Sequence, residues 1–218
     1  MYTPAPFAEF DAERLYHAIE ADPFGLLIGT GVAGPVVSHL PFLLERDGAG
    51  GDRLVCHVAR GNPHWRAVEA EGRALAVFTG PHAYVSPRWY RTSPAVPTWN
   101  YVAVHVAGPA RTIHDADRLR GTVAALADTH EADRPNPWST DAVPAKFLAA
   151  QLKGIVGIEI AVERVTGKRK LSQNRPAPDR AGVIAGLVGE AHQGARLVAA
   201  EMARDLAAAK SEEGTATP

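Results

Sequence analysis

Six short apolar or alternating runs, each bounded by glycine, proline or aspartate, set the limits on what this chain can fold into. They are Gly25–Gly29, Pro35–Leu44, Arg53–Ala59, Ala74–Thr79, Tyr101–Thr112 and Ile155–Val165. Runs of this length and punctuation read as β-strands. The helical patterns between them are not long enough to carry right-handed crossovers between parallel strands. The expectation is therefore a mainly β, α+β domain: a small antiparallel barrel with helices on its flanks.

The helices expected are few. Asp11 caps a helix to Ala21, which Pro23 stops, and Asn62 caps a short one that begins at Pro63 and is closed by Gly72. Asp115–Glu131 and Val143–Leu152 follow, then a long alanine-rich helix over Asp179–Lys210, with Ser211–Pro218 expected to fray. Residues 1–175 would form one domain with its peripheral helices. Residues 176–218, the last helix and tail, would pack on that same domain.

Composition narrows the function. A chain of 218 residues buries about 70% of its unfolded surface and needs no covalent staples. With 23 basic and 24 acidic residues the net charge is −1, so no polycationic surface offers sequence-independent affinity for nucleic acid. The single cysteine, Cys56, excludes an internal disulfide and a multi-cysteine cluster. No apolar run approaches the ~20 residues of a membrane span, and Met1–Pro6 has no signal-peptide pattern. A cytoplasmic protein without a membrane partner is expected.

Several motifs point to familiar chemistry and fail on context. Gly29-Thr30-Gly31-Val32-Ala33-Gly34 fits the dinucleotide fingerprint, but the Pro35-Val36-Val37 that follows cannot open the helix that would receive a pyrophosphate. A hairpin turn explains it better. The nine histidines show no metal-ligand spacing, so no metal is expected. Cys56 and His57 are strand neighbours and point to opposite faces, which rules against a nucleophilic pair.

Two stretches remain. Phe78 to Tyr101 crowds Tyr84, Trp89, Tyr90, Trp99 and Tyr101 among Pro81, Pro87, Pro94 and Pro97. Proline fixes φ and removes donors, so the segment reads as a stiff loop suited to a flat ligand with polar edges. Gly167-Lys168-Arg169-Lys170-Leu171-Ser172-Gln173-Asn174-Arg175 combines cations with hydroxyl and amide tips, a set suited to one phosphate.

In order and spacing these segments resemble the PaiB family of FMN-binding negative transcriptional regulators. The resemblance rests on Met1–Pro4 with Phe7, Ser38-His39-Leu40-Pro41-Phe42, His57–Trp65, Phe78–Tyr90, Val96–Tyr101 and Lys170–Arg175. It departs at Cys56, where family members often carry glycine. It implies a six-stranded antiparallel split β-barrel of the FMN-binding type, with a long C-terminal helix. It also implies a homodimer with FMN at the subunit interface.

On that basis Lys170, Ser172, Asn174 and Arg60 are expected at the phosphate, with Asn62 and Gln173 in the same cofactor-binding set. His39 and Leu40, Ser86, Thr98 and Asn100 would meet the isoalloxazine edge, and Trp89, Trp99 and Tyr101 would cover its faces. The flavin would carry the redox chemistry, so the protein needs no nucleophile of its own. His39 or His57 would serve as a proton donor. The expected function is a dimeric, flavin-dependent redox or sensor protein, with NAD(P)H or a small molecule as co-substrate. The alternatives are a repressor binding DNA with FMN as effector, and a haem-binding or haem-degrading barrel using His39, His57 or His105.

Overall fold

The structure is a computed structural model that describes residues 1–48 and 51–215, with side chains as far as residue 208. In chain order the strands are β1 (Ala8–Glu9), β2 (Phe24–Gly31), β3 (Gly34–Pro41), β4 (Leu43–Glu45), β5 (Arg53–Ala59), β6 (Arg73–Val85), β7 (Thr98–Ile113), β8 (Ile155–Ala161) and β9 (Arg164–Lys170). The helices are α1 (Ala12–Ala21), α2 (His64–Glu71), α3 (Ala116–Glu131), α4 (Ala145–Leu152), α5 (Ala177–Val188) and α6 (Gln193–Thr215). Strands hydrogen-bond in the order β3-β2-β6-β7-β8-β5-β4, while β9 pairs with both β7 and β1. The pairings β1–β9, β2–β3, β2–β6, β4–β5, β5–β8 and β7–β8 are antiparallel. The mixed α+β class built on a large antiparallel sheet is the one expected.

The glycine-rich fingerprint is a hairpin. Gly31 pairs with Gly34 across the two-residue link Val32-Ala33, and Gly34 takes φ +118°, a region that costs glycine little. The run Pro35–Leu44, expected as one strand, is divided at Phe42 into β3 and β4. Phe42 turns inward, 2% exposed, with its ring edge-on to Phe78 at 5.3 Å.

Contacts divide the chain into two compact units. One holds residues 12–78 and 105–165. In it α3 and α4 lay Leu119, Leu148 and Leu152 on Val55 and Ile113, burying a contiguous apolar cluster. Asp115 caps α3 as its side chain accepts from the Arg118 amide at 2.8 Å. Arg118 in turn pairs with Glu45, and with the buried Glu159 at 3.3 Å.

The other unit holds residues 1–11, 79–104 and 166–218. Its core sets Ala83, Val85 and Val102 against Val183 and Leu187 of α5 and Val198 and Met202 of α6. That core explains why the helix expected over Asp179–Lys210 is two. Apolar positions on both halves cover the same cluster, so the chain must turn back, and it does so at Gly189–His192. The helix continues to Thr215; the rest of the tail expected to fray, residues 216–218, lies outside the described residues.

The aromatic, proline-rich segment is more regular than a loop. β6 continues through Gly80 and Pro81 to Val85, because a glycine at 80 admits Val102 of β7. A Cβ at Gly80 would lie 3.2 Å from the Val102 Cβ. Trp89 is seated under α5, where two glycines make room for it. A Cβ at Gly182 would meet the Trp89 carbonyl oxygen at 2.1 Å, and one at Gly186 would meet the indole at 2.3 Å.

Candidate functional site

In the unit that contains residues 79–104 and 166–218, β9 sorts the basic patch by strand alternation. Arg169 is taken up inside the protein: it reaches Glu201 and Asp205 of α6 at 2.8 Å each, and Glu9 of β1 at 3.7 Å. Lys168 and Lys170 alternate with it. The Lys168 ammonium donates to the Tyr2 carbonyl at 3.1 Å and lies 5.2 Å from the Tyr101 ring centre. Lys170 donates to the Thr98 hydroxyl and, at 2.7 Å, to the Trp99 carbonyl. Burial, and then the neighbouring Lys168, pull the Lys170 pKa below its ordinary value.

Lys170 lines a cleft of about 210 Å³ with Thr98, Asn100, Ser172, Asn174 and Arg175. Ser172 is fixed there in the left-handed region, φ +62°, where a non-glycine residue is uncommon and such strain gathers at functional positions. Its hydroxyl is held by Asn100, whose amide nitrogen donates to it at 3.0 Å; both side chains are buried. The amide also contacts the Met202 sulfur at 3.3 Å, which ties the strand to α6. Asp179 pins the chain just after the cleft residue Tyr90: its carboxylate accepts from the Arg91 amide at 2.7 Å and from Thr92 at 3.0 and 2.5 Å. The Thr92 hydroxyl bond, more than any other cause, holds the Asp179 pKa below the usual range. Arg175 stacks over Tyr90 at 4.7 Å, so the guanidinium is positioned on the same cleft.

The expected site residues are not all brought together. Gln173 folds back on its own turn, accepting from the Leu171 amide at 2.7 Å and donating to the Arg169 carbonyl at 2.5 Å. Ser86 caps the short 3₁₀ turn after β6 through the Arg88 amide. On β7, Thr98 and Asn100 line the cleft just described. Trp99, between them, lines a different one with His82 and Tyr84. Alternation along a strand is the reason.

The remaining expected residues, Arg60, Asn62, His39, Leu40, His57 and His105, belong to the other unit. Arg60 donates to the Lys153 and Ile155 carbonyls at 2.8 and 2.9 Å, which closes the β5–β8 end. Asn62 accepts from the amide of His64, the first residue of α2, at 3.0 Å and donates to Ser38 at 3.1 Å; the N-cap position itself, expected at Asn62, falls on Pro63. Ser38 and the buried His64 Nδ1 lie 2.9 Å apart, and Gly29 leaves the space that His64 fills. His39 stands exposed on β3 beside Phe24, with Leu40 half-buried next to it. His57 and His105 are half-buried, and burial lowers both pKa values, favouring neutral imidazole. Burial raises the Cys56 thiol, which keeps it protonated.

Pattern reading did not single out Phe7, Tyr90, Val96, Pro97 or Arg175 as cleft residues. Tyr90, Val96, Pro97 and Arg175 do lie inside the aromatic and basic stretches. Phe7 depends on the two-residue pairing of β1 with β9, which leaves no periodic signal.

Residues 1–164 match the family model described as "Putative FMN-binding domain". The chain is also 37% identical over 201 residues to the "Protease synthase and sporulation protein PAI 2" of Bacillus subtilis, covering 91% of this chain and 95% of that one. This chain belongs to the PaiB family. FMN is the cofactor that goes with the family's domain. Among solved structures, the FAD and heme binding protein of Mycobacterium smegmatis superposes with a TM-score of 0.58 at 22% identity, covering 80% of this chain and 78% of that one. The flavocytochrome Anf3 of Azotobacter vinelandii gives 0.57 at 19% identity, covering 75% and 69%. At these identities the likeness is one of fold, and it agrees with the split-barrel class expected for a PaiB protein.

The Lys170 cleft fits one end of FMN. It offers an ammonium with one of its three donors uncommitted, a guanidinium, hydroxyls and an amide, which is the donor set a phosphate takes. At about 210 Å³ it is smaller than the roughly 300–1,000 Å³ of sites that enclose a whole ligand.

Proposed function

We propose that this PaiB protein is an FMN-dependent redox or sensor flavoprotein, and that its flavin site is completed by a second copy of the chain. The observation that carries the reading is the Lys170 cleft. Its cation is desolvated and crowded by a second lysine, and the strained Ser172 beside it is fixed by Asn100. A dianionic phosphate there relieves the Lys168–Lys170 repulsion and recovers the cost of burial. The cleft's size supports the second half of the proposal, since a phosphate and the start of a ribityl chain fill it and the ring system needs further walls.

Within that arrangement each residue has a separate task. Lys170 and Arg175 supply charge to the phosphate, and Asn174 and Ser172 supply neutral hydrogen bonds. Thr98 holds the Lys170 ammonium in place, and Asn100 keeps Ser172 in its left-handed conformation. When bound, FMN supplies hydride or electron transfer, and the chain needs no nucleophile for that. Support for a DNA-binding regulator is weaker. Arg169 is neutralised by Glu9, Glu201 and Asp205, and α6 turns Val198 and Met202 into the core.

The test combines two readouts on the full chain. FMN is titrated while flavin fluorescence is followed, and the mass is read by light scattering. The expected result is binding at about 10 μM or tighter with the mass of two chains. A folded monomer that leaves FMN free at that concentration contradicts the proposal.

A further inference from the structure

On the side of β7 opposite the phosphate cleft, Trp99 helps to form a second cavity of about 240 Å³ with His82, Tyr84, Glu190, His192 and Ala195. We infer that this cavity is a binding site for a small organic cation of the alkylammonium class. Nothing in the FMN reading requires it.

Three π-systems and one carboxylate carry the inference. The Trp99 and Tyr84 rings meet edge to face and not as a stack, at 76° with centroids 6.2 Å apart. The His82 ring adds a third face, 6.4 Å from Trp99 and tilted by 35°. Trp99 and Tyr84 remain 53% and 47% exposed, an unusual amount of aromatic surface to leave around a cavity in place of burying it. Ring faces carry negative potential, and two or three set at angles make a cage for a cation that is too weakly hydrated to prefer water.

Glu190 supplies the formal charge. It stands in the turn between α5 and α6, with its amide bonded to the Leu187 carbonyl. The site is built and not incidental. Gly194 lets the start of α6 close on β6: a Cβ there would lie 2.8 Å from the His82 carbonyl oxygen and 2.9 Å from the His192 ring. The positive end of α6 opposes a cation, as would either cavity imidazole, His82 or His192, if protonated, and Glu190 in the preceding turn offsets that field.

The probe is choline, titrated by calorimetry into the full-length protein, with 3,3-dimethylbutan-1-ol as its uncharged isostere and benzoate as an anionic ring. The inference expects choline to bind at about 1 mM or tighter, and the neutral isostere about tenfold more weakly. Glu190→Gln is expected to weaken choline about tenfold, and Tyr84→Leu to weaken it by a similar factor. FMN affinity should be unchanged in Glu190→Gln, so failure of this site and failure of the flavin site are told apart. Equal binding of choline and its isostere would show an apolar pocket without charge selection. Preference for benzoate would show an anion site at the α6 terminus. Either result, or no choline binding at about 50 mM, overturns the inference.

Discussion

Lys170→Met is expected to weaken FMN binding about 10- to 150-fold while leaving riboflavin binding unchanged. The side chain keeps a four-atom apolar stem and loses the ammonium. Two of that ammonium's three donors are already spent on Thr98 and on the Trp99 carbonyl, so one is left for a ligand. A hydrogen bond to a charged group contributes about 1.5–3 kcal/mol, and about 1.4 kcal/mol is a factor of ten, which gives the range. Riboflavin lacks the phosphate and serves as the control. If both flavins lose affinity together, Lys170 holds β7 and nothing more. Raising the salt concentration should narrow the gap between FMN and riboflavin in the wild type, and should do so far less in the variant.

Arg169→Leu is the substitution expected to cost most in stability, by about 3–5 kcal/mol. The guanidinium holds Glu201 and Asp205, and all three side chains are under a fifth exposed. Removing the cation takes a shared partner from three carboxylates, Glu9, Glu201 and Asp205, in a poorly solvated place. Glu201 keeps a second arginine, Arg204, but the loss still costs more than the pairs themselves contribute. For a chain of this size each 1 kcal/mol is worth roughly 2–4 °C in Tm, so a fall of about 6–20 °C is expected by calorimetry. Arg169→Lys keeps one charge but cannot reach both acids as a fork, and should fall between the variant and the wild type. A loss under about 1 kcal/mol would place these pairs with ordinary surface salt bridges.

Periodicity revealed most of the sheet and was blind to two kinds of element. Leu54, Val55 and Val58, or Val102, Val104 and Val106, announce strands because alternate or adjacent apolar side chains reach a core. β9 carries Val165, Thr166 and then three cations, and it is strand because β7 and β1 offer it partners on both sides. No local pattern reports partners that are distant in sequence. The extension of β6 past Gly80-Pro81 was hidden for a related reason, since proline and glycine mark turns unless a neighbour needs the space.

The site was half legible. The basic run and the aromatic run were both visible, and the structure joins them through Lys170, Thr98, Asn100 and Ser172. What the sequence could not show is which members of each run face the same way. Arg169 sits between two lysines in the chain and is spent on α6, while Trp99 sits between two cleft residues and belongs to another cavity. The commitments of Arg60 to backbone carbonyls and of Gln173 to its own turn are equally invisible to spacing, because both are hydrogen bonds to main chain. Ser172 carries no mark at all in the sequence, since a left-handed serine is written like any other.

A crystal structure of the protein grown with FMN tests the account most directly, through the position of the phosphorus atom. The flavin phosphate is expected within hydrogen-bond reach of Lys170 and the Ser172–Asn174 turn. A well-ordered FMN whose phosphate lies on Arg60, or against no residue of the Thr98–Asn100 and Lys170–Arg175 segments, would contradict it.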